Sequence, residues 1–128
     1  MFPIDSRDPR PIYEQIIDNI KEQVIKGILK PGDQLPSVRQ LASMLTVNAN
    51  TVMKAYGELE RQEVIETIRG KGAFIAITSN KGVTEKQLVE LRTTLKTSCI
   101  TMHYMGMSKE QVLEEMGKIY DELLREEK

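Results

Sequence analysis

The sequence predicts a mainly α-helical fold with one small β-hairpin, followed by a tail of two further helices. Apolar residues recur every three or four positions in five separate segments, which is the spacing of one helix face. Two β-prone runs, 64–68 and 73–77, flank a glycine-rich turn and predict the hairpin. Residues 79–82 have the composition of a linker, so we place a boundary between segments 1–78 and 79–128.

The first three helices follow from their apolar spacing and their capping residues. In the first helix the apolar positions are Ile12, Ile16, Ile20, Val24 and Ile28. Ser37 is placed to cap a short second helix. Asn50 or a neighbour is placed to cap a third helix that runs to about Gln62. The predicted buried face of this third helix contains Val52, Ala55, Tyr56 and Leu59.

The hairpin that follows has a basic tip, with the sequence Arg69-Gly70-Lys71-Gly72. Three helices followed by a hairpin is the element order of a winged helix-turn-helix domain. We therefore predict that domain for residues 1–78. In such a domain one helix lies in the DNA major groove, and the hairpin, or wing, reaches an adjacent groove.

The tail is predicted to form two helices that pair two copies of the chain. Ser108 and Gln111 have the spacing of a capping box at the start of the last helix. Two helices alone cannot enclose a useful core, so their apolar seams must pack on the first domain or on a second chain. We predict a homodimer, with the residues Leu88, Leu91, Leu95, Met102, Met116, Ile119 and Leu123 at its interface.

Composition narrows the functional classes. The chain has 128 residues, one His and one Cys, and it has no phosphate-binding glycine motif, so we expect neither an enzyme nor a bound cofactor. Its apolar runs are too short to span a bilayer, and its N-terminus shows no secretory signal. We therefore expect a cytoplasmic protein without a membrane partner.

The distribution of charge favours a polyanionic partner, although the net charge is only -1. The chain has 19 acidic residues, yet none of them falls between Gln34 and Gly57 or between Thr67 and Thr84. Surfaces without acidic residues avoid repulsion of phosphate groups. Within the first stretch, side chains suited to reading base edges or binding phosphate occur at Asn48, Asn50, Thr51 and Lys54.

Several ordered motifs resemble the GntR family of regulators. They are residues 31–42 (Pro-Gly-Asp-Gln-Leu-Pro-Ser-Val-Arg-Gln-Leu-Ala), residues 47–56 and 59–61, and the wing at 65–66 and 69–74. The resemblance implies double-stranded operator DNA as the partner, with contacts from Arg39, Asn50, Thr51, Lys54, Arg69, Gly70 and Lys71, and with Asn48 and Tyr56 as additions. The short helical tail resembles the YtrA-like subfamily, which implies a dimeric repressor of an ABC-transporter operon and of its own gene. Because a symmetric dimer presents two recognition helices, we expect it to act at inverted-repeat half-sites.

Two alternatives remain open at this point. One is a regulator that senses a metabolite or a metal through its C-terminal helices, and the effector is unknown. Cys99 and His103 are four residues apart, but two ligands do not complete a tetrahedral site, so we expect no metal. The other alternative is a winged helix used only for protein contact, because one fold can serve both roles.

Overall fold

The computed structural model describes residues 4–77 and 82–125, which form two compact units. The first unit contains three helices and a hairpin, namely α1 (Ile12–Ile25), α2 (Val38–Leu45), α3 (Ala49–Arg61), β1 (Ile65–Ile68) and β2 (Gly72–Ile75). The second contains α4 (Glu85–Tyr104) and α5 (Lys109–Leu124). The predicted fold class, mainly helical with a small hairpin, is confirmed. The predicted linker at 79–82 lies outside the described residues except for Gly82.

Polar caps define where α2 and α3 begin. Ser37 and Gln40 form a reciprocal capping box, in which the Ser37 hydroxyl accepts from the Gln40 N–H at 3.1 Å and the Gln40 side chain accepts from the Ser37 N–H at 2.8 Å. At α3 the cap is Asn48, whose Oδ1 accepts from the Asn50 N–H at 2.8 Å. Asn48, rather than Asn50, is therefore the residue that caps the start of α3.

The core of the first unit is built around α3, which packs against α1, α2 and β1. Its largest fully buried side chains are Ile16, Ile20, Leu41, Val52, Leu59, Ile65 and Ile75. The predicted apolar face of α3 is therefore buried as expected. In α1 the prediction was wrong at Ile28, which is exposed because the helix ends at Ile25 and Gly27 turns the chain with φ +77°.

The hairpin is antiparallel, with Ile65 paired to Ile75 and Ile68 paired to Gly72. Gly72 therefore belongs to β2, and the tip of the hairpin consists of residues 69–71 instead of the predicted 69–72. A third segment runs beside β2: the Leu35 N–H donates to the Ala73 carbonyl at 2.8 Å, and the Ile75 N–H donates to the Asp33 carbonyl at 2.8 Å. The wing is thus fastened to the chain that leads into α2.

The second unit consists of two well-capped helices with exposed apolar side chains. Thr84 caps the start of α4 and Ser108 caps the start of α5. Each forms a capping box with a glutamine three residues later, as predicted for Ser108. No described residue of either helix is buried. About half of the surface of Leu88, Leu91, Leu95 and Ile119 is exposed, and Met102, Met116 and Leu123 are partly buried. Among the described helices, none has the length and apolar character needed to cross a membrane.

Candidate nucleic-acid interface

The exposed face of α3 carries three of the polar residues singled out from the sequence, namely Asn50, Thr51 and Lys54. Asn50 and Lys54 are exposed and Thr51 is partly buried, whereas Val52 and Ala55 on the opposite face are fully buried. Burial of one face fixes the rotation of the helix about its axis, so the polar side chains must point outward. The arrangement suits an exposed helix that enters a major groove.

Asn48 combines two properties at the start of this face. Its side-chain oxygen is used in the α3 cap, yet the residue is exposed. The cap uses the acceptor of the amide and leaves the NH₂ group as a donor. Asn48 can therefore hold the helix start in place and still donate to a base or a phosphate.

Lys54 has a defined position because its ammonium group lies over an aromatic ring. Its Nζ is 4.0 Å from the centroid of the Tyr13 ring in the first turn of α1. A cation–π contact at an exposed site is worth about 0.5–1 kcal/mol, which restrains the side chain without neutralising its charge. The positive charge of Lys54 is thereby kept beside the start of α1.

The first turn of α2 places Arg39 in an exposed position. Arg39 lines an open groove together with Gln34, Pro36, Gln40 and Met44. The capping box at Ser37 fixes the start of the helix and therefore the direction in which Arg39 leaves the backbone. An exposed guanidinium in a bracing helix is suited to phosphate contact.

The wing tip presents two cations on a turn that requires glycine. Arg69, Gly70 and Lys71 are all exposed, and Gly70 has φ +81°, a left-handed conformation that favours glycine. The Gln34 Nε2 donates to the Lys71 carbonyl at 2.9 Å. Since Gln34 precedes α2 by four residues, this hydrogen bond ties the basic tip to the helix that carries Arg39. The sequence patterns did not reveal this contact.

The prediction for Tyr56 requires a correction, because the family resemblance placed this residue among the DNA contacts. Its side chain belongs to the hydrophobic core and is only 7% exposed. Its hydroxyl donates to the Pro36 carbonyl at 2.7 Å, and burial raises the pKa of this hydroxyl to about 12. Tyr56 therefore supports the interface from behind by holding α3 against the segment before α2.

The acidic residues of α3 lie at its C-terminal end. Glu58 accepts hydrogen bonds from Arg61 and Gln62, which lower the pKa of its carboxyl to about 2. The Glu60 carboxylate accepts a hydrogen bond from the Thr67 hydroxyl. Glu58 is thus engaged at the end of α3 and Glu60 with β1, and the first two turns of α3 are free of negative side chains.

Cys99 and His103 do not belong to a larger ligand set. Within residues 4–77 and 82–125, no group of three or more His, Cys, Asp or Glu side chains is arranged to hold a metal ion. Both residues are exposed on α4.

Comparison with known proteins identifies the family. Residues 12–75 match the model of the bacterial regulatory proteins of the gntR family. The HTH-type transcriptional repressor YtrA of Bacillus subtilis (strain 168) is 46% identical over 119 residues, which cover 93% of this chain and 92% of YtrA. The chain therefore belongs to the GntR family and is a transcriptional regulator, a non-enzymatic class.

Two solved structures extend this comparison. A crystal structure of a transcriptional antiterminator from Listeria monocytogenes EGD-e matches with a TM-score of 0.92 and 44% identity, covering all of this chain and 96% of the other. The DNA-binding domain of AraR, crystallised with the operator ORR3, matches with a TM-score of 0.51 and 28% identity. This second match covers 58% of this chain and 89% of the AraR domain.

Proposed function

We propose that this regulator is a homodimeric repressor that binds an operator of two inverted half-sites in the cytoplasm. The exposed polar face of the first two turns of α3, which contain no acidic residue, carries this proposal, and Arg39 and the basic wing tip belong to the same unit. We assign the DNA contacts to Arg39, Asn48, Asn50, Thr51, Lys54, Arg69, Gly70 and Lys71. The AraR domain, whose structure includes an operator, supports a DNA partner for this fold.

The tail supports the dimer. Leu91 and Leu95 lie on one face of α4 and remain about half exposed, which leaves apolar surface that a second copy can cover. A symmetric dimer would present two copies of α3 to the two halves of an inverted repeat. We further propose an ABC-transporter operon and the regulator's own gene as targets, which rests on the resemblance of the tail to the YtrA-like subfamily.

DNA binding is tested by titrating the full chain with a duplex from the region upstream of its gene at several salt concentrations. Arg39→Ala should weaken binding to all sequences and reduce the slope of log K against log salt by about 1, because one phosphate contact is lost. Arg92→Ala in α4 is the matched control. Wild-type binding that ignored both sequence and salt would refute the proposal.

Base reading is tested separately at Asn50. If its amide contacts a base edge, Asn50→Ala should lose about 1–3 kcal/mol of binding free energy on the operator. Its binding to random DNA should change little. An equal loss on both duplexes would assign Asn50 to phosphate rather than to a base.

The role of the tail is tested with two glutamate substitutions on α4. Leu95→Glu places a charge in the predicted seam, whereas Ile100→Glu places the same charge on another face of the helix. Sedimentation should show dissociation of the Leu95 variant alone, with weaker operator binding because the two half-sites lose their effective concentration. Equal behaviour of the two variants would contradict the proposed seam.

The proposed targets are tested in the cell. Deletion of the gene should raise transcription of an ABC-transporter operon and of a reporter fused to the regulator's own promoter. Unchanged transcription from both would overturn this part of the proposal.

A further inference from the structure

Two apolar side chains interrupt the polar exposed face of α3. Ala49 and Met53 are both exposed, with Met53 57% exposed. They are four residues apart on one helix, so their side chains are neighbours on the same face. Val52 and Ala55, on the other side of the helix, belong to the hydrophobic core of the unit, whereas Met53 lies outside that core.

We propose that Ala49 and Met53 contact the 5-methyl group of a thymine in each operator half-site and so favour T·A at that base pair. The thymine methyl is the apolar group that base edges present in the major groove, and apolar side chains recognise it by contact. Asn50 and Lys54 follow Ala49 and Met53 directly, so a polar group adjoins each apolar one. The inference rests on the proposed function.

The residues around Ala49 and Met53 favour DNA over a protein as the partner that contacts this apolar pair. Ala49 and Met53 lie within the stretch from Gln34 to Gly57, which contains no acidic residue. The Lys54 ammonium group beside them lies over the Tyr13 ring. A thioether on an unbranched chain can also adapt to a methyl group whose position varies slightly between the two half-sites.

The chain offers a matched control in Met44. This methionine lies on α2 and is 58% exposed, almost the same as Met53. It lines the groove beside Arg39 rather than the exposed face of α3, so Met44→Gln can change the overall affinity without changing the ratio of affinities for thymine and deoxyuridine, which is the quantity compared. A substitution at Met44 therefore separates the loss of a surface methionine from the loss of the proposed base contact.

The test uses the full chain and the duplex that the wild type selects from a random pool. Each thymine of that duplex is replaced singly by deoxyuridine, which removes the methyl group alone. One position in each half-site should lose about fourfold in affinity, the equivalent of about 0.8 kcal/mol for one methyl-sized apolar group. Because Ala49 keeps its contact, Met53→Gln should reduce this loss rather than remove it, whereas Met53→Leu and Met44→Gln should retain it in full.

Two results would overturn the inference and leave the proposed function standing. One is a wild type that binds its selected duplex specifically yet tolerates deoxyuridine everywhere. The other is a Met53→Gln variant that distinguishes thymine from deoxyuridine at the sensitive position as strongly as the wild type does, with its fold confirmed by circular dichroism. Failure of the wild type to select any sequence would instead refute the proposed function, and this inference with it.

Discussion

Replacing Tyr56 with phenylalanine tests how α3 is held in place behind the interface. The Tyr56 hydroxyl donates to the Pro36 carbonyl at 2.7 Å, and the side chain is 7% exposed. Tyr56→Phe keeps the buried ring and removes only this hydrogen bond. At pH 7 we expect the free energy of unfolding to fall by about 1 kcal/mol, the usual net value of one intramolecular hydrogen bond.

The same substitution should have a different effect at alkaline pH. Burial raises the pKa of Tyr56 from 10.0 to about 12, so the unfolded chain loses this proton first. The stability that depends on the neutral hydroxyl is complete below pH 10 and is lost as the pH rises to about 12. At pH 11 the wild type should therefore lose about 1.4 kcal/mol that the phenylalanine variant cannot lose.

Urea unfolding followed by circular dichroism, at one protein concentration, measures both effects. Tyr56→Phe should be the less stable protein at pH 7 and should equal or slightly exceed the wild type at pH 11. Tyr104→Phe removes a hydroxyl from a side chain that is 92% exposed, and it should stay within about 0.5 kcal/mol of the wild type at pH 7. A wild-type advantage over Tyr56→Phe that is the same at both pH values would refute the reasoning.

Two further predictions concern the wing and the end of α3, and three substitutions test them. Gly72 has φ +120°, and an added Cβ would lie 3.1 Å from the Gln34 Nε2, so Gly72→Ala should reduce the free energy of unfolding by about 1–3 kcal/mol. Gly57→Ala, in open space within α3, should instead increase it, and a loss at both glycines would contradict this explanation. Because the pKa of Glu58 is lowered to about 2 by Arg61, its stabilising effect is present above pH 4.5 and lost toward pH 2. Glu58→Gln should therefore show a smaller fall in Tm between pH 5 and pH 2, and an unchanged fall would exclude this role.

Local patterns were sufficient to predict the elements of the first unit. The spacing of Ile16 and Ile20, the hydroxyl of Ser37 and the run of β-prone residues each act over a few positions, and each is found in the predicted place. The error at Ile28 has a local cause as well. Periodicity continues through Gly27, but the left-handed backbone there ends the helical path before Ile28.

At Tyr56 two sequence arguments disagreed, and the physical one was correct. Helical spacing placed Tyr56 on the same face as Val52 and Leu59, which predicts burial. The family resemblance placed it among DNA contacts, because a motif identifies positions without specifying which way a side chain faces. Burial of Val52 and Leu59 fixes the rotation of α3, so Tyr56 must point inward with them.

The apolar faces of α4 and α5 show a different limit. Their spacing predicts the helices and identifies the residues that seek burial, and the described structure contains those helices. The spacing of apolar residues in one chain does not specify how a second copy of the chain packs against it. The sequence therefore identifies Leu91 and Leu95 as residues of the apolar seam, and the sedimentation experiment tests whether a second copy of the chain covers them.

The contact between Gln34 and the wing could not be predicted because it joins residues 37 positions apart. From the sequence, the glycines of the tip are explained by a close approach to DNA. The structure gives Gly72 another reason, since its φ is +120° and an added Cβ would lie only 3.1 Å from the Gln34 Nε2. If the wing is held by this contact, Gln34→Ala should weaken DNA binding although Gln34 is not among the proposed DNA contacts, and removal of the Lys71 charge should then matter less than in the wild type. Independent, additive losses from the two substitutions would show that the tip is positioned by the hairpin alone.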